Sequence, residues 1–182
     1  GGAFGSGLRP QYQLPLAVMA ALKLKASVRV ELTRQQMFTL TGYRTPTISR
    51  VRLGSDRQGR LSAISHDVVE QTARLYEFAE QTAAPTRTMY AAPHRRTTHR
   101  LATLDVPVPF WMRAPGECPG MHALEVAMDE LAIACELDPI ELRVRNDTAI
   151  DPDTGEQRLL HLVLADADDL DMPGIGLGDP VR

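Results

Sequence analysis

The chain has 182 residues, with 20 Lys and Arg against 23 Asp and Glu and a formal net charge of −3. This length suffices for one buried core, and the mildly negative balance gives no electrostatic case for nucleic acid or a membrane surface as the main partner. No apolar run reaches a membrane span and no signal peptide is visible, so a cytoplasmic chain is expected, with a periplasmic setting left open for a parent complex.

The chain opens on Gly1, Gly2, Ala3, Phe4, Gly5, Ser6 and Gly7. Glycines of this density let a backbone approach a ligand and point successive amides at an oxyanion, although a loose terminus has the same composition. Neither a P-loop nor a dinucleotide-binding fingerprint is formed, because the required Lys-Ser/Thr and the G-x-G-x-x-G spacing are both missing. Residues 15–24 then predict a helix with Pro15 in its first turn and Leu16, Met19, Ala20 and Lys23 on one face. Alternating Val28, Val30 and Leu32 predict a half-buried strand over 27–32. Thr33 and Gln36 form a capping box for a short helix through Phe38. Strands are predicted at 47–53 and 61–69, joined as a hairpin by the Gly54–Gly59 turn.

Further along, residues 87–92 and 100–106 are weaker strand segments. The one basic cluster, His94 to Arg100, reads as a solvated face or as a contact for phosphate or an acidic partner. His94 and His99 share neither a helix face nor a strand face, so they are not a metal pair. Pro115, Gly116, Pro119 and Gly120 delay a regular helix to about Gly120. From there Met121, Leu124, Met128, Leu131, Ala132 and Cys135 form an apolar stripe that must be buried. A last short helix opens at Asp138, with Pro139 in the first position and Glu141 completing a capping box. The sum is an α+β domain: an antiparallel or mixed sheet with packed helices.

The loop before the long helix carries the chemistry. It holds Arg113 between rigid and permissive residues at a helix N-terminus, where unpaired amides suit phosphate, carboxylate or an electron-rich carbonyl. A surface ion pair with Glu117 or Glu125 is the other reading of the same arginine. Cys118 and Cys135 are the only cysteines, too few for an iron–sulfur cluster and a poor basis for tetrahedral zinc. Cys135 on the helix stripe reads as a small apolar residue, and Cys118 has no base partner that would make it a nucleophile.

The order GGAFG, RPQYQLPLAVMAALKLKASVRVELTRQQMF, a hairpin, RAPGECPG, ALEVAMDELA and DPIELRVRND resembles the molybdenum-binding subunit of the xanthine dehydrogenase and aldehyde oxidase family. The resemblance covers residues 1–155 and is nearest to the bacterial branch with RAPGE in the arginine loop. It implies a molybdopterin-binding domain in which the amides around Phe4 and Gly5 face the metal's ligands and Arg113 helps to hold the pterin. The cofactor-binding set implied is Gly2, Phe4, Gly5, Arg113 and Ala114, with Phe4 and Arg113 beside molybdenum and no direct protein ligand to it. The cofactor implied is molybdopterin in its cytosine dinucleotide form. The partners implied are the rest of the molybdenum subunit and iron–sulfur and FAD subunits, which would carry the electrons away.

Departures refine the expectation. Gly7 stands where the family usually carries a lysine and Leu8 where its xanthine-oxidising members carry a pocket glutamate, so an aldehyde, or a heteroaromatic ring, is the better substrate class. Ala114 stands where carbon monoxide dehydrogenases place their copper-bridging cysteine, which excludes that role for Cys118. The family's catalytic base lies in a C-terminal region with no counterpart here. The chain is therefore expected to be a fragment, inactive and without cofactor alone, and self-associated into a dimer or higher oligomer through its uncovered apolar surface. A non-catalytic remnant or an assembly module is the alternative. Residues 156–182 depart from the family pattern, with six acidic residues against two arginines, and are expected to be a partly disordered tail. A frameshift in the gene would explain the switch.

Overall fold

The computed structural model describes Phe4, Gly5, Gly7, residues 10–147 and Gly155. The expected tail over 156–182 and Gly2 lie outside the described residues. In chain order the elements are α1 (Gln13–Leu24), α2 (Arg34–Leu40), β1 (Thr47–Ser55), β2 (Leu61–Ala73), α3 (Ala84–Thr88), β3 (His94–Leu104), α4 (Glu117–Ala134) and α5 (Pro139–Asn146). The sheet runs β1-β2-β3. Its first pair is the predicted antiparallel hairpin and its second pair is parallel, so the α+β fold is built on a mixed sheet.

The hairpin is longer than its sequence signal because pairing continues past the apolar alternation, to Glu70 opposite Thr47. Its turn is organised by Asp56, whose Oδ1 accepts from the amides of Gln58 and Arg60, both at 2.9 Å. Gly59 closes the turn at φ +77°, a left-handed angle that favours glycine. The turn is clamped to the last helix by buried Asn146. That side chain accepts from Leu61 N at 2.8 Å and donates to Gly59 O at 2.7 Å and Leu142 O at 2.9 Å.

The parallel partner of β2 requires a crossover, which occupies the segment between Ala73 and His94. Residues 87–92 do not extend as the expected strand; α3 covers Ala84–Thr88 instead. Pro85 sits in its first turn, where the missing N–H costs no helical bond. β3 starts six residues earlier than the predicted strand and includes the whole basic cluster. Full-length parallel pairing with Ala63–Ala73 outweighs the charges there. Residues 27–32 form no strand. Val28, Val30 and Leu32 do alternate half-buried with exposed neighbours, but no ladder partner is present for them among the described residues.

α4 begins at Glu117 rather than Gly120, because Pro119 falls in the first turn, where an amide is spare. It lies against β1 and α3, and α5 packs on it in turn. Leu124, Met128 and Ala132 of its stripe are fully buried against Leu61, Ile64, Tyr90 and Leu142, forming the core. α5 has the expected Asp138 cap, whose carboxylate accepts from the amides of Ile140 and Glu141. Glu141 does not complete a box, since its carboxylate pairs with Arg145. α2 does show the full Thr33–Gln36 box. Neither α1 nor α2 buries a residue, and Leu16 and Met19 on the predicted face of α1 are 55% and 66% exposed.

β2 also carries polar side chains inward. His66, Glu70 and Thr72 are buried on the face that alternates with half-buried Ser65, Asp67 and Gln71. His66 Nδ1 meets Thr86 Oγ1 at 2.7 Å, and His99 Nε2 accepts from Ala83 N at 3.1 Å. Burial lowers the pKa of both histidines below the usual 6.5, with the charge of His99 adding to the effect at His66.

This packing is testable at Asn146 and at the two histidines. Asn146→Ala strands the buried Leu61 amide and removes two further bonds, so urea denaturation should show a loss of roughly 2–3 kcal/mol; Asn146→Asp should recover the Leu61 bond only. For the histidines, the unfolded chain takes up protons more readily than the folded one. Their stabilising contribution is then complete above pH 6.5 and declines as pH falls below it. Unfolding free energy measured at pH 7.5 and 5.5 should be lower at 5.5, and a His66→Gln/His99→Gln variant should flatten that difference.

Candidate functional site

Four of the five predicted site residues come together at one end of α4. Phe4 and Gly5 lie against the arginine loop: Arg113 N donates to Phe4 O at 2.5 Å. A Cβ on Gly5 would lie 2.7 Å from Arg113 N and 2.9 Å from the Met112 carbonyl carbon, so only glycine allows this approach. Phe4 and Ala114 are non-glycine residues at φ +46° and +53°. Such angles cost on the order of 1 kcal/mol each and persist only where the surroundings hold them. The two segments joined here lie far apart in sequence, with α1 to α3 and the whole sheet between them.

The arginine loop is braced from both sides. Trp111 meets Phe78 and Phe110 edge-on at 5.3 and 5.5 Å between ring centres. Phe110 N donates to Tyr43 O at 2.9 Å, and the Tyr43 hydroxyl donates to Pro107 O at 3.1 Å. On the far side, Gly116 at φ +80° and Gly120 rest on the backbone of Gln81 and Thr82. A Cβ would come within 2.4 Å of Gln81 O and 1.9 Å of Thr82 O respectively. Glycine at these two positions is what lets the start of α4 settle on that segment.

Beneath the loop lies a buried polar cluster that sequence reasoning missed. Arg44 pairs with Glu80, whose side chain is fully buried, and donates to the carbonyls of Arg113 and Ala114. Glu80 Oε1 also accepts from Gly116 N at 3.0 Å. Glu70 in turn accepts from Glu80 N at 3.0 Å and from the Thr82 hydroxyl. The available signal was positional: Glu70 and His66 occupy inward positions of an alternating strand, where apolar residues belong unless a polar network needs them.

The Arg113 side chain is exposed, and no ion pair joins it to another described residue. Glu125, one expected partner, accepts instead from the Tyr90 hydroxyl at 2.8 Å and from Arg143 Nε at 2.6 Å. Phe4 is 69% exposed and therefore not part of the core. The cluster His94–Arg100 lies in β3, with His94 opposite half-buried Ala63 and His99 opposite buried Val68, on different sheet faces. On the open face Asp67 accepts from Thr98 at 2.6 Å and pairs with Arg96 and Arg52, both at 3.0 Å. These contacts hold its carboxyl well below the usual carboxylate range.

Among the described residues no group of three or more His, Cys, Asp or Glu side chains is placed to hold a metal ion, and no helix is long and apolar enough to cross a membrane. A cleft of about 420 Å³ is bordered by Pro10, Tyr12, Gly42, Tyr76, Val108 and Phe110, and none of the candidate residues lines it. Arg113 and Phe4 are both exposed where the two loops meet as one surface.

Comparison with known proteins bears on that surface. The family described as the molybdopterin cofactor-binding domain matches residues 1–147. The aldehyde oxidoreductase molybdenum-binding subunit PaoC of Escherichia coli is 42% identical over 153 residues, which is 84% of this chain and 21% of that protein. The xanthine dehydrogenase molybdenum-binding subunit of the same species is 27% identical over 151 residues, 80% of this chain and 20% of its own length. In three dimensions the aldehyde oxidoreductase of Desulfovibrio gigas superposes with a TM-score of 0.74 at 26% identity, covering 93% of this chain and 20% of that one. This chain therefore spans about a fifth of the length of these relatives. With the domain match over most of its length, the chain belongs to the molybdopterin-binding family of xanthine dehydrogenase and aldehyde oxidoreductase molybdenum subunits.

Proposed function

We propose that this chain supplies one wall of the molybdopterin site of an aldehyde-oxidising molybdenum hydroxylase, and that it acts only when the remainder of the molybdenum subunit completes the site. The observation that carries this reading is the Arg113 N to Phe4 O contact, which joins the glycine loop and the arginine loop into one surface. The residues present suit the group. Gly5 leaves bare backbone beside the arginine, and the guanidinium of Arg113 is exposed with no described partner. A planar guanidinium engages phosphate or ring carbonyl oxygens through two parallel hydrogen bonds.

When bound, the molybdenum cofactor supplies the oxidation of a substrate carbon with oxygen drawn from water. The chain's own part is to bind and orient it. Arg113 would hold negative or carbonyl oxygen of the pterin, and the amides around Phe4 and Gly5 would supply donors toward the metal's ligands. The Phe4 ring, exposed in this chain, excludes water once a second wall closes over it. A span of about a fifth of the relatives supports a role in which the catalytic base lies in another segment.

The substrate class follows the same support: Leu8 stands where the xanthine-oxidising members of the family carry a pocket glutamate, and the 42% identical relative is an aldehyde oxidoreductase. The cytosine dinucleotide form of the cofactor, iron–sulfur and FAD partner subunits, and a cytoplasmic setting complete the proposal. Exposed Leu14, Val18, Leu22 and Leu24 on α1 and Phe38 on α2 form the apolar surface expected where a larger protein continues.

Co-expressed with the remainder of such a subunit in a host that makes the cofactor, the chain should retain molybdenum and a fluorescent pterin and oxidise aldehydes but not purines. Arg113→Ala should lower the pterin content at least tenfold with little change in melting temperature, because its side chain is exposed and unpaired among the described residues. A complex that never retains pterin would favour the non-catalytic remnant. Purified alone, the chain should run as a dimer or larger by light scattering, and a monomer would contradict this part.

A further inference from the structure

The pair beneath the loop meets the proposed ligand surface only at backbone carbonyls. Arg44 is 26% exposed and Glu80 fully buried, and the arginine spends its donors on Glu80 and on two successive backbone carbonyls, those of Arg113 and Ala114. Glu80 Oε1 accepts at the same time from Gly116 N. One pair thus grips the loop at three of four consecutive residues, on both sides of Pro115 and across the left-handed turn at Ala114.

Stability alone does not account for such a pair. Replacing a buried ion pair with neutral or apolar groups is often neutral or stabilising. Here Glu80 Oε2 is buried without a hydrogen-bond partner among the described residues, a cost that a purely structural pair would avoid. What Arg44 supplies, and an apolar residue cannot, is two directed donors onto adjacent carbonyls. Those carbonyls set the two peptide planes on either side of Ala114, the first of which leaves Arg113. The plane before Arg113 is fixed by its amide on Phe4 O, and together they set the direction in which its side chain leaves the loop.

We propose that Arg44 and Glu80 are positioning residues for the cofactor site: Glu80 orients Arg44, and Arg44 fixes the backbone from which Arg113 projects. The inference rests on the reading of Arg113 as a pterin-binding residue. It predicts that loop geometry and fold stability come apart when the pair is altered. Arg44→Met leaves the Glu80 carboxyl buried without its cation, so both melting temperature and pterin content should fall. In Arg44→Met/Glu80→Gln the neutral amide oxygen still accepts from Gly116 N, so most of the melting temperature should return while pterin content stays at least tenfold below wild type. Arg44→Lys keeps a charge for Glu80 but cannot reach both carbonyls, and should likewise keep stability and lose pterin.

Pterin is measured as oxidised-pterin fluorescence per chain in the co-expressed complex. Acrylamide quenching of Trp111, the only tryptophan, reads the loop in the chain without cofactor and should rise in both variants. A double variant or Arg44→Lys with wild-type pterin content, or unchanged quenching of Trp111, would overturn the proposal. Arg113→Ala separates the two levels. If it keeps its pterin while Arg44→Lys loses it, the role of the guanidinium falls and loop positioning stands. Loss in Arg113→Ala with retention in Arg44→Lys leaves the guanidinium holding the pterin and removes the positioning role of Arg44.

Discussion

The seating of α4 on the backbone of Gln81 and Thr82 is the constraint on which this end of the molecule depends. Gly116 and Gly120 touch those two carbonyls so closely that no side chain fits at either position. The residue just before that segment, Glu80, accepts from Gly116 N and pairs with Arg44. One short stretch therefore sets both where the long helix begins and where the arginine loop rests. A helix displaced there would carry Leu124 and Met128 out of the core and Arg113 away from Phe4 together, because all four hang on the same seat.

Much of this was legible in the residues, in proportion to how local the cause was. The hairpin showed itself because alternating apolar residues and an Asp-and-glycine turn act within a few positions. The buried stripe of α4 and the boxed cap of α2 are likewise properties of one turn of chain. The failures share the opposite trait. Residues 27–32 have the burial alternation of a strand and lack a ladder partner among the described residues, and no local sequence window could show that. β3 looked too charged at its start, yet eleven parallel pairings with β2 recruit it, and exposed His94, Arg96 and Arg100 alternate with half-buried neighbours.

The candidate site divides along the same line. Glycine at position 5 and the Pro/Gly frame around Arg113 are local requirements of close backbone approach, so the two loops could be picked out, and the family resemblance paired them. Arg44 and Glu80 could not be picked out. An arginine in a Gly-Tyr-Arg-Thr-Pro stretch and a glutamate in a polar crossover look like surface residues until the fold buries the space between them. The one hint was the inward polar positions of β2, His66 and Glu70. There the strand's alternation demanded apolar groups, and the chain placed hydrogen-bonding ones instead.

That network also bears on why a cation stands available in a chain whose net charge is −3. An exposed arginine among excess carboxylates would ordinarily be claimed by one of them. Several acids of the segment beneath this loop and of its helix are engaged: Glu80 by Arg44, and Glu125 and Asp129 by Arg143. Farther off, Glu141 is held by Arg145, and Asp67 by Arg52 and Arg96. Arg44 is the one of these arginines bonded to the loop itself, so it both holds two of its carbonyls and occupies the carboxylate beneath it. Removing it would free an anion as well as a contact.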